Sequence, residues 1–189
     1  MFNKILIANR GEIALRVIRT AREQGIQTVA VYSEADACAL HTRLADEAIA
    51  LGGFMPSESY LDMDKILAAA KKTGAEAIHP GYGFLSENAE FARRVVKAGM
   101  AWIGPPPDAI TQMGDKIVSR QIMKAANVPM VPGMTEPAAD AAVARAAADE
   151  MGYPVMLKAA AGGGGKGIRI VHKPEELESA FKTASGEAL

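Results

Sequence analysis

Short apolar runs, each too brief for a helix and each followed by a turn and a helical stretch, constrain the fold of this chain more than any other feature. The first, Ile5-Leu6-Ile7-Ala8, ends at Asn9-Arg10-Gly11. Ile13, Val17 and Ala21 then recur at helical spacing with Arg16, Arg19, Arg22 and Glu23 between them, which predicts a helix to about Gly25. Thr28-Val29-Ala30-Val31-Tyr32 and Glu47-Ala48-Ile49-Ala50-Leu51 read as the second and third strands. Ser59 followed by Asp62 resembles a capping box, with Asp in place of Glu, and opens a helix that ends near Gly74. Ala77-Ile78-His79 is a further strand, stopped by Pro80-Gly81, and a helix over 89–98 leads through Gly99 into Met100-Ala101-Trp102-Ile103. Apolar strands separated by helices imply a parallel sheet covered on both faces. Residues 1–104 are therefore expected to form a doubly wound, Rossmann-like α/β domain.

Pro105-Pro106-Pro107 punctuates the chain, and residues 105–132 read as a helical connector with helices over about 107–113 and 116–126. Pro129 and Pro132 break any further helix. Residues 133–189 predict a small α+β unit in another order: an alanine-rich helix over about 138–151, a strand over 154–159, a glycine run, a strand over 168–172 and a last helix from Pro174. Ser185-Gly186-Glu187-Ala188-Leu189 offers neither a strand nor a cap, so this unit is expected to be incomplete.

With 21 basic and 22 acidic residues the net charge is −1, which exerts no global pull toward nucleic acid or an anionic membrane. The single cysteine, Cys38, excludes an internal disulfide and a cysteine-built zinc site. A fold held by packing alone fits a reducing compartment. The opening residues include only four consecutive apolar ones, where a secretory core needs about 7–15. A soluble, cytoplasmic protein is the expectation.

Ala161-Gly162-Gly163-Gly164-Gly165-Lys166-Gly167 is the densest local signal. It fails the Walker phosphate-loop template, because Ala160 and Gly167 stand where that motif needs a glycine and a hydroxyl residue. Gly162, Gly164 and Gly167 satisfy G-x-G-x-x-G, but the dinucleotide reading needs a helix directly after, and Ile168-Arg169-Ile170-Val171 reads as a strand. What remains is a glycine loop between two antiparallel strands. Its backbone N–H groups can close onto phosphate oxygens and it can move as a lid; the alternative is a plain surface hairpin. On the incoming strand Val155 and Leu157 share one face, Met156 and Lys158 the other. An ammonium on a mostly apolar strand finds an anionic partner such as a nucleotide phosphate, or it snorkels to water.

The segment His79-Pro80-Gly81-Tyr82-Gly83-Phe84-Leu85-Ser86-Glu87-Asn88 leaves the carboxyl end of a parallel strand, where open α/β sheets place ligands. Its glycines and proline fix a bend that presents Tyr82 and Glu87. The alternative is a rigid turn in which Ser86 caps the next helix and His79 is satisfied by backbone. Lys116, after Met113-Gly114-Asp115, reads by itself as a solvated helix lysine. His41 and His172 are not read as metal ligands, and Cys38 is read as inert. Asp115, Asp149, Glu150, Glu175 and Glu176 fall at helix ends, where carboxylates cap. No metal site and no catalytic group is assigned from these residues.

Four stretches together resemble the biotin carboxylase family of ATP-grasp ligases: Ile7-Ala8-Asn9-Arg10-Gly11-Glu12-Ile13-Ala14, residues 79–88, Met113-Gly114-Asp115-Lys116, and Gly152-Tyr153-Pro154 running on through Lys158 to Gly167. Their order and spacing agree across all 189 residues. The resemblance implies the pre-ATP-grasp domain of that family, then a connector and the small glycine-loop subdomain of the ATP-grasp fold. It implies a ligase in which ATP and bicarbonate give carboxyphosphate, and the carboxyl group passes to biotin on a carrier protein. By the same resemblance Lys116 and Lys158 contact ATP, Gly164 and Gly165 lie in the lid with Gly162, Gly163, Lys166 and Gly167, and Tyr82 and Gly83 lie near biotin. A biotin carboxyl carrier protein, a carboxyltransferase and a homodimer are the implied partners. Ile168 stands where the family commonly has Met. The second ATP-grasp half, which holds the Mg²⁺ ligands and the groups that handle bicarbonate and biotin, has no counterpart in these residues, so the chain alone is expected to be inactive. The alternatives are a non-catalytic dimerisation or regulatory nucleotide module, and another ATP-grasp ligase of the carbamoyl-phosphate synthetase type.

Overall fold

The computed structural model describes residues 1–158 and 167–186. The chain divides into two compact units, Met1–Gly114 and Asp115–Leu189. The connector expected over 105–132 is thereby split, its first helix falling in the first unit and its second in the other.

In the first unit β1 (Lys4–Ile7), β2 (Gln27–Tyr32), β3 (Glu47–Ala50), β4 (Ala77–His79) and β5 (Ala101–Trp102) form a sheet in the order β3-β2-β1-β4-β5. Every pairing in it is parallel. The pleat sends alternate residues to opposite faces. Leu6, Ala8, Val29, Val31 and Ile78 pack with Ile66, Leu67 and Ala70 of α3 (Met63–Thr73) and with Phe91 and Val95 of α4 (Ala89–Lys97). Ile5, Ile7 and Ala77 face the other way, among Ala14, Ile18 and Ala21 of α1 (Gly11–Glu23). Both faces of β1 are therefore buried, which is why its sequence is an unbroken apolar run. Each fully buried aliphatic side chain contributes about 1.5–3 kcal/mol.

One local expectation is corrected, and one detail of an alternative reading is replaced. The cap of α3 is Asp62, whose carboxylate accepts from the Lys65 N–H at 3.1 Å, while the Ser59 hydroxyl donates back to the Met55 carbonyl. Asp62 stands directly before the first helical residue and reaches the free N–H three positions on; Ser59 is too far upstream. In the same way Asn88, not Ser86, caps α4 by accepting from the Phe91 N–H at 2.9 Å. The short helix α2 (Leu40–Leu44) has no counterpart in the sequence reading, and α5 (Pro107–Gly114) closes the unit with Asp108 paired to Arg93 of α4 at 3.3 Å.

In the second unit Asp115 caps α6 (Lys116–Ala125), accepting from Ile117 and Val118 N–H at 2.8 and 2.9 Å. Asp140 caps α7 (Ala141–Met151). The strands β6 (Val155–Lys158) and β7 (Ile168–Val171) pair antiparallel, and α8 (Leu177–Gly186) follows a short 3₁₀ turn. Val155, Leu157 and Val171 turn inward among Ala144, Ala148, Leu177 and Phe181. Among the described residues no helix is long and apolar enough to cross a membrane.

Candidate functional site

The strand order of the first unit's sheet reverses at β1, with β2 and β3 on one side and β4 and β5 on the other. The loops leaving the carboxyl ends of β1 and β4 therefore part company there, which opens a crevice at the switch point. Residues 9–13 and 82–84 line a cleft of about 440 Å³ at this place, a size within the range of small-molecule sites.

Asn9 forms its floor. The side chain is fully buried, donates from Nδ2 to the carbonyls of Pro80 at 2.7 Å and Tyr82 at 3.0 Å, and accepts at Oδ1 from the Arg10 N–H at 2.9 Å. The two loops are thus stitched by one amide whose burial is compensated by hydrogen bonds. Gly81 passes so close that a Cβ there would lie 2.7 Å from both Asn9 Nδ2 and Ile13 Cγ2. His79 turns its Nδ1 to accept from the Gly81 N–H at 3.0 Å, and burial holds its pKa below the ordinary value, so the ring is a neutral structural acceptor.

At the mouth the exposed Tyr82 hydroxyl lies 3.5 Å from Glu12 Oε2, and Glu12 is also paired with Arg16 one turn along α1. Ile13 and Phe84 supply apolar walls. Glu87, which the sequence also offered, is exposed and does not line the cleft.

Behind the cleft Arg10 makes a bidentate ion pair with Asp36, and the Asp36 Oδ2 accepts a second bond from the Tyr60 hydroxyl at 2.6 Å. That hydroxyl in turn accepts from the Ser33 N–H at 3.1 Å. The Tyr60 ring stacks on Phe84 with centroids 5.3 Å apart and planes 10° from parallel, and the Arg10 guanidinium sits 5.9 Å from the Tyr60 centroid. Phe84 has φ +47°, left-handed backbone that a side chain adopts only against a cost of about 1 kcal/mol.

The Arg10 hydrogen bonds hold the Asp36 pKa at about 2, against an ordinary 3.8, although burial works the other way. Burial lowers the pKa of both His41 and His79. All three shifts are depressions, so each contributes stability above its unfolded value that is lost on acidification. Acid unfolding is expected to show loss of stability below about pH 6.5 from the histidines. A further fall of about 1–2 kcal/mol from Asp36, discounted for the half-exposed Arg10, follows between about pH 4 and 2. Chemical denaturation of the wild type and Asp36→Asn across this range checks it: the substituted chain lacks the second fall.

In the second unit Lys116 is the first residue of α6, and Lys158 ends β6 on its outer face. Directly paired residues of antiparallel strands share a face, so Met156 with Ile170 and Lys158 with Ile168 form an outward surface on which Met156 and Ile170 are more than half exposed. The predicted division of β6 into an inner Val155–Leu157 face and an outer Met156–Lys158 face holds. Gly167 is buried at the start of β7; Gly162, Gly163, Gly164, Gly165 and Lys166 lie outside the described residues. Among the described residues no group of three or more His, Cys, Asp or Glu side chains could hold a metal ion.

Tyr82 and Gly83, singled out in the sequence, line the cleft; Asn9 and Arg10 stood there within the stretch that carries the resemblance, without a role of their own. Asn9 carried one usable signal, a polar residue closing an apolar strand. Asp36 lies 26 positions from Arg10, and Tyr60 a further 24 along; no local pattern joins residues so far apart.

Comparison with known proteins agrees with this layout. Residues 1–110 match the family described as biotin carboxylase, N-terminal domain, and residues 115–189 match the carbamoyl-phosphate synthase L chain, ATP binding domain. The chain is 54% identical over its whole length to the propionyl-CoA carboxylase alpha chain of Ruegeria pomeroyi, of which it covers 28%. It is 55% identical over 96% of its length to a biotin carboxylase of Halalkalibacterium halodurans, covering 40% of that protein. Among solved structures, a biotin carboxylase from Campylobacter jejuni in complex with β,γ-ATP superposes on all of the chain with a TM-score of 0.90 at 49% identity, the chain covering 42% of it. A biotin carboxylase domain dimer of a 2-oxoglutarate carboxylase from Hydrogenobacter thermophilus, holding ADP, magnesium and bicarbonate, gives 0.86 at 52% identity over all of the chain and 41% of the other. The chain thus spans well under half the length of these relatives. With a family match over residues 1–110 and near-complete alignment to these enzymes, the chain belongs to the biotin carboxylase family, as its N-terminal part.

Proposed function

We propose that this chain supplies the N-terminal part of an ATP- and bicarbonate-dependent biotin carboxylase, which carboxylates biotin on a carrier protein through carboxyphosphate and hands it to a carboxyltransferase, and that the enzyme works as a homodimer in the cytoplasm. The observation that carries this reading is the continuous match, about half identical from end to end, to proteins named for biotin-dependent carboxylation. The residues fit the ligands. The outer face of β6 and β7 joins exposed Met156 and Ile170 to the ammonium of Lys158, which suits an apolar base at one end and phosphate at the other. Lys116 adds a second cation, and Gly164 and Gly165, outside the described residues, are assigned to ATP with it. The switch-point cleft combines apolar Ile13 and Phe84 with the Tyr82 hydroxyl and the Glu12 carboxylate, a lining suited to a neutral bicyclic ligand with a polar ureido edge. Tyr82 and Gly83 are assigned to that role. Phosphoryl transfer is mainly positioning and charge neutralisation, so the contribution of these lysines is to hold and neutralise the phosphate chain.

No step is assigned to Mg²⁺, since the described residues offer no ligand group for it. The 189-residue polypeptide by itself is expected to show no biotin- and bicarbonate-dependent ATP hydrolysis. Turnover should appear when the remainder of a biotin carboxylase is supplied in trans or in one chain, and Lys158→Gln should then raise the KM for ATP by about tenfold or more. Bicarbonate-dependent turnover by the chain alone, or an unchanged ATP dependence in the substituted enzyme, overturns the assignment.

A further inference from the structure

The two walls of the switch-point cleft are stitched at the floor by Asn9, but their outer parts have a second element in common. Tyr60 is 2% exposed and does not line the cleft, yet it reaches both walls. Through its hydroxyl it orients the Asp36 carboxylate, and Asp36 holds the Arg10 side chain of the loop after β1. Through its ring it supports Phe84, a left-handed residue of the loop after β4. The hydroxyl is itself fixed by accepting the Ser33 N–H, at the end of β2. One side chain is therefore tied to the segments that follow β1, β2 and β4. A buried group tied to several elements in this way transmits its own orientation to each of them, because a packed interior does not absorb displacement locally.

We propose that Tyr60 is a positioning residue for the cleft: its hydroxyl sets the loop carrying Arg10 and its ring sets the loop carrying Phe84, so that the spacing between the walls, and hence the affinity for the cleft's occupant, depends on a residue the occupant never touches. The inference deepens the reading of this cleft as the biotin site and rests on it for the identity of the occupant. The two arms separate by substitution. Tyr60→Phe keeps the stack on Phe84 but takes a donor from Asp36 and an acceptor from the Ser33 N–H. Tyr60→Leu removes the stack as well.

The test uses the complete carboxylase of which residues 1–189 form the N-terminal part, with free biotin as substrate and glycine-selective ¹⁵N labelling. Tyr60→Phe is expected to raise the KM for biotin about tenfold with kcat held within about twofold, the signature of weakened binding geometry rather than impaired chemistry. It should shift the Gly11 amide resonance and leave Gly83 in place, whereas Tyr60→Leu should shift both. Ile5→Val, in the separate cluster on the opposite face of the sheet, serves as the stability control; it should lower the melting temperature without moving the KM for biotin or the two glycine signals. If both Tyr60 variants merely track Ile5→Val, the positioning role is overturned. If the wild-type enzyme shows no saturation with biotin, the occupant is wrong, and the glycine resonances still decide whether Tyr60 sets the walls.

Discussion

Gly81→Ala is expected to destabilise the first unit by about 3 kcal/mol, against about 1 kcal/mol for Gly83→Ala two residues along. The two glycines share a left-handed backbone, with φ +64° and +70°, so the conformational cost of adding a Cβ is the same at both. Their surroundings differ. At Gly83 a Cβ meets nothing within 4 Å, whereas at Gly81 it lies 2.7 Å from Asn9 Nδ2 and from Ile13 Cγ2. Neither neighbour can yield cheaply. Asn9 is buried and commits its Nδ2 to the Pro80 and Tyr82 carbonyls, and displacing it leaves buried polar groups without partners. Ile13 is anchored in the first turn of α1 and forms a cleft wall. Urea unfolding of the two variants beside the wild type measures the difference directly, provided the denaturant slope stays constant. Equal losses at the two positions would mean that the loops are not stitched through Asn9 in the way described, and the proposed ligand cleft would lose its floor. Because Gly83 itself is assigned to the biotin side of that cleft, its alanine variant should remain folded while serving as a probe of binding.

How far the sequence carried the fold depends on which interactions are local. The strands β1, β2 and β4 announce themselves because both faces are covered and nearly every residue is apolar. The edge strand β3 alternates half-buried and exposed positions, since the pleat turns successive side chains to opposite faces and these are unequally covered, yet its Glu-Ala-Ile-Ala composition was enough to mark it. The strand order could not be read from the chain, because it is set by where the crossover helices pack; only the carboxyl-end rule pointed to residues 79–88 as a place for ligands. The start of α3 was set a few positions early where two capping residues compete, whereas α4 begins where the sequence placed it. Ser59 and Asp62 both carry an acceptor, and likewise Ser86 and Asn88; only the geometry of the preceding 3₁₀ or bent segment decides which one reaches the free N–H groups. The short α2 carries no periodic signal over its five residues. In the candidate site the same division holds. Tyr82 and Gly83 belong to a compact motif, which made their place in the cleft legible. The Arg10–Asp36–Tyr60 network is assembled by the sheet from three separate crossings and is visible only once β1, β2 and the segment before α3 are brought together.

Phe91→Ala is expected to remove about 4 kcal/mol from the stability of the first unit. The side chain is fully buried, packs edge-to-face on Trp102 with ring centroids 5.6 Å apart and planes at 90°, and belongs to the same cluster as Tyr60, Leu85 and Val95. Truncation removes the transfer contribution of the ring and leaves a cavity that a sheet on one side and α4 on the other cannot collapse without distortion. The aromatic pair adds about 0.5–1.5 kcal/mol beyond burial. Phe54→Ala provides the contrast: that ring is 65% exposed, and its removal should cost no more than about 0.5 kcal/mol. The measurement is built into the chain, since Trp102 is its single tryptophan. Removing the edge-on neighbour should change the native emission in Phe91→Ala and leave it unaltered in Phe54→Ala, and denaturant titration followed by the same signal gives the two free energies. A small effect at Phe91 would show that the core relaxes into the space. The position also matters for function. The Phe91 N–H is the one Asn88 accepts from, so the ring and the cap fix opposite sides of the same first turn. That turn ends the segment that begins at His79 and carries Tyr82, Gly83 and Phe84. A cavity under it should loosen Leu85 and the loop above. Phe91→Ala is therefore expected to weaken occupation of the cleft even under conditions where the chain remains folded. The ring does not line the cleft, so the weakening would reach the ligand through the backbone of the loop.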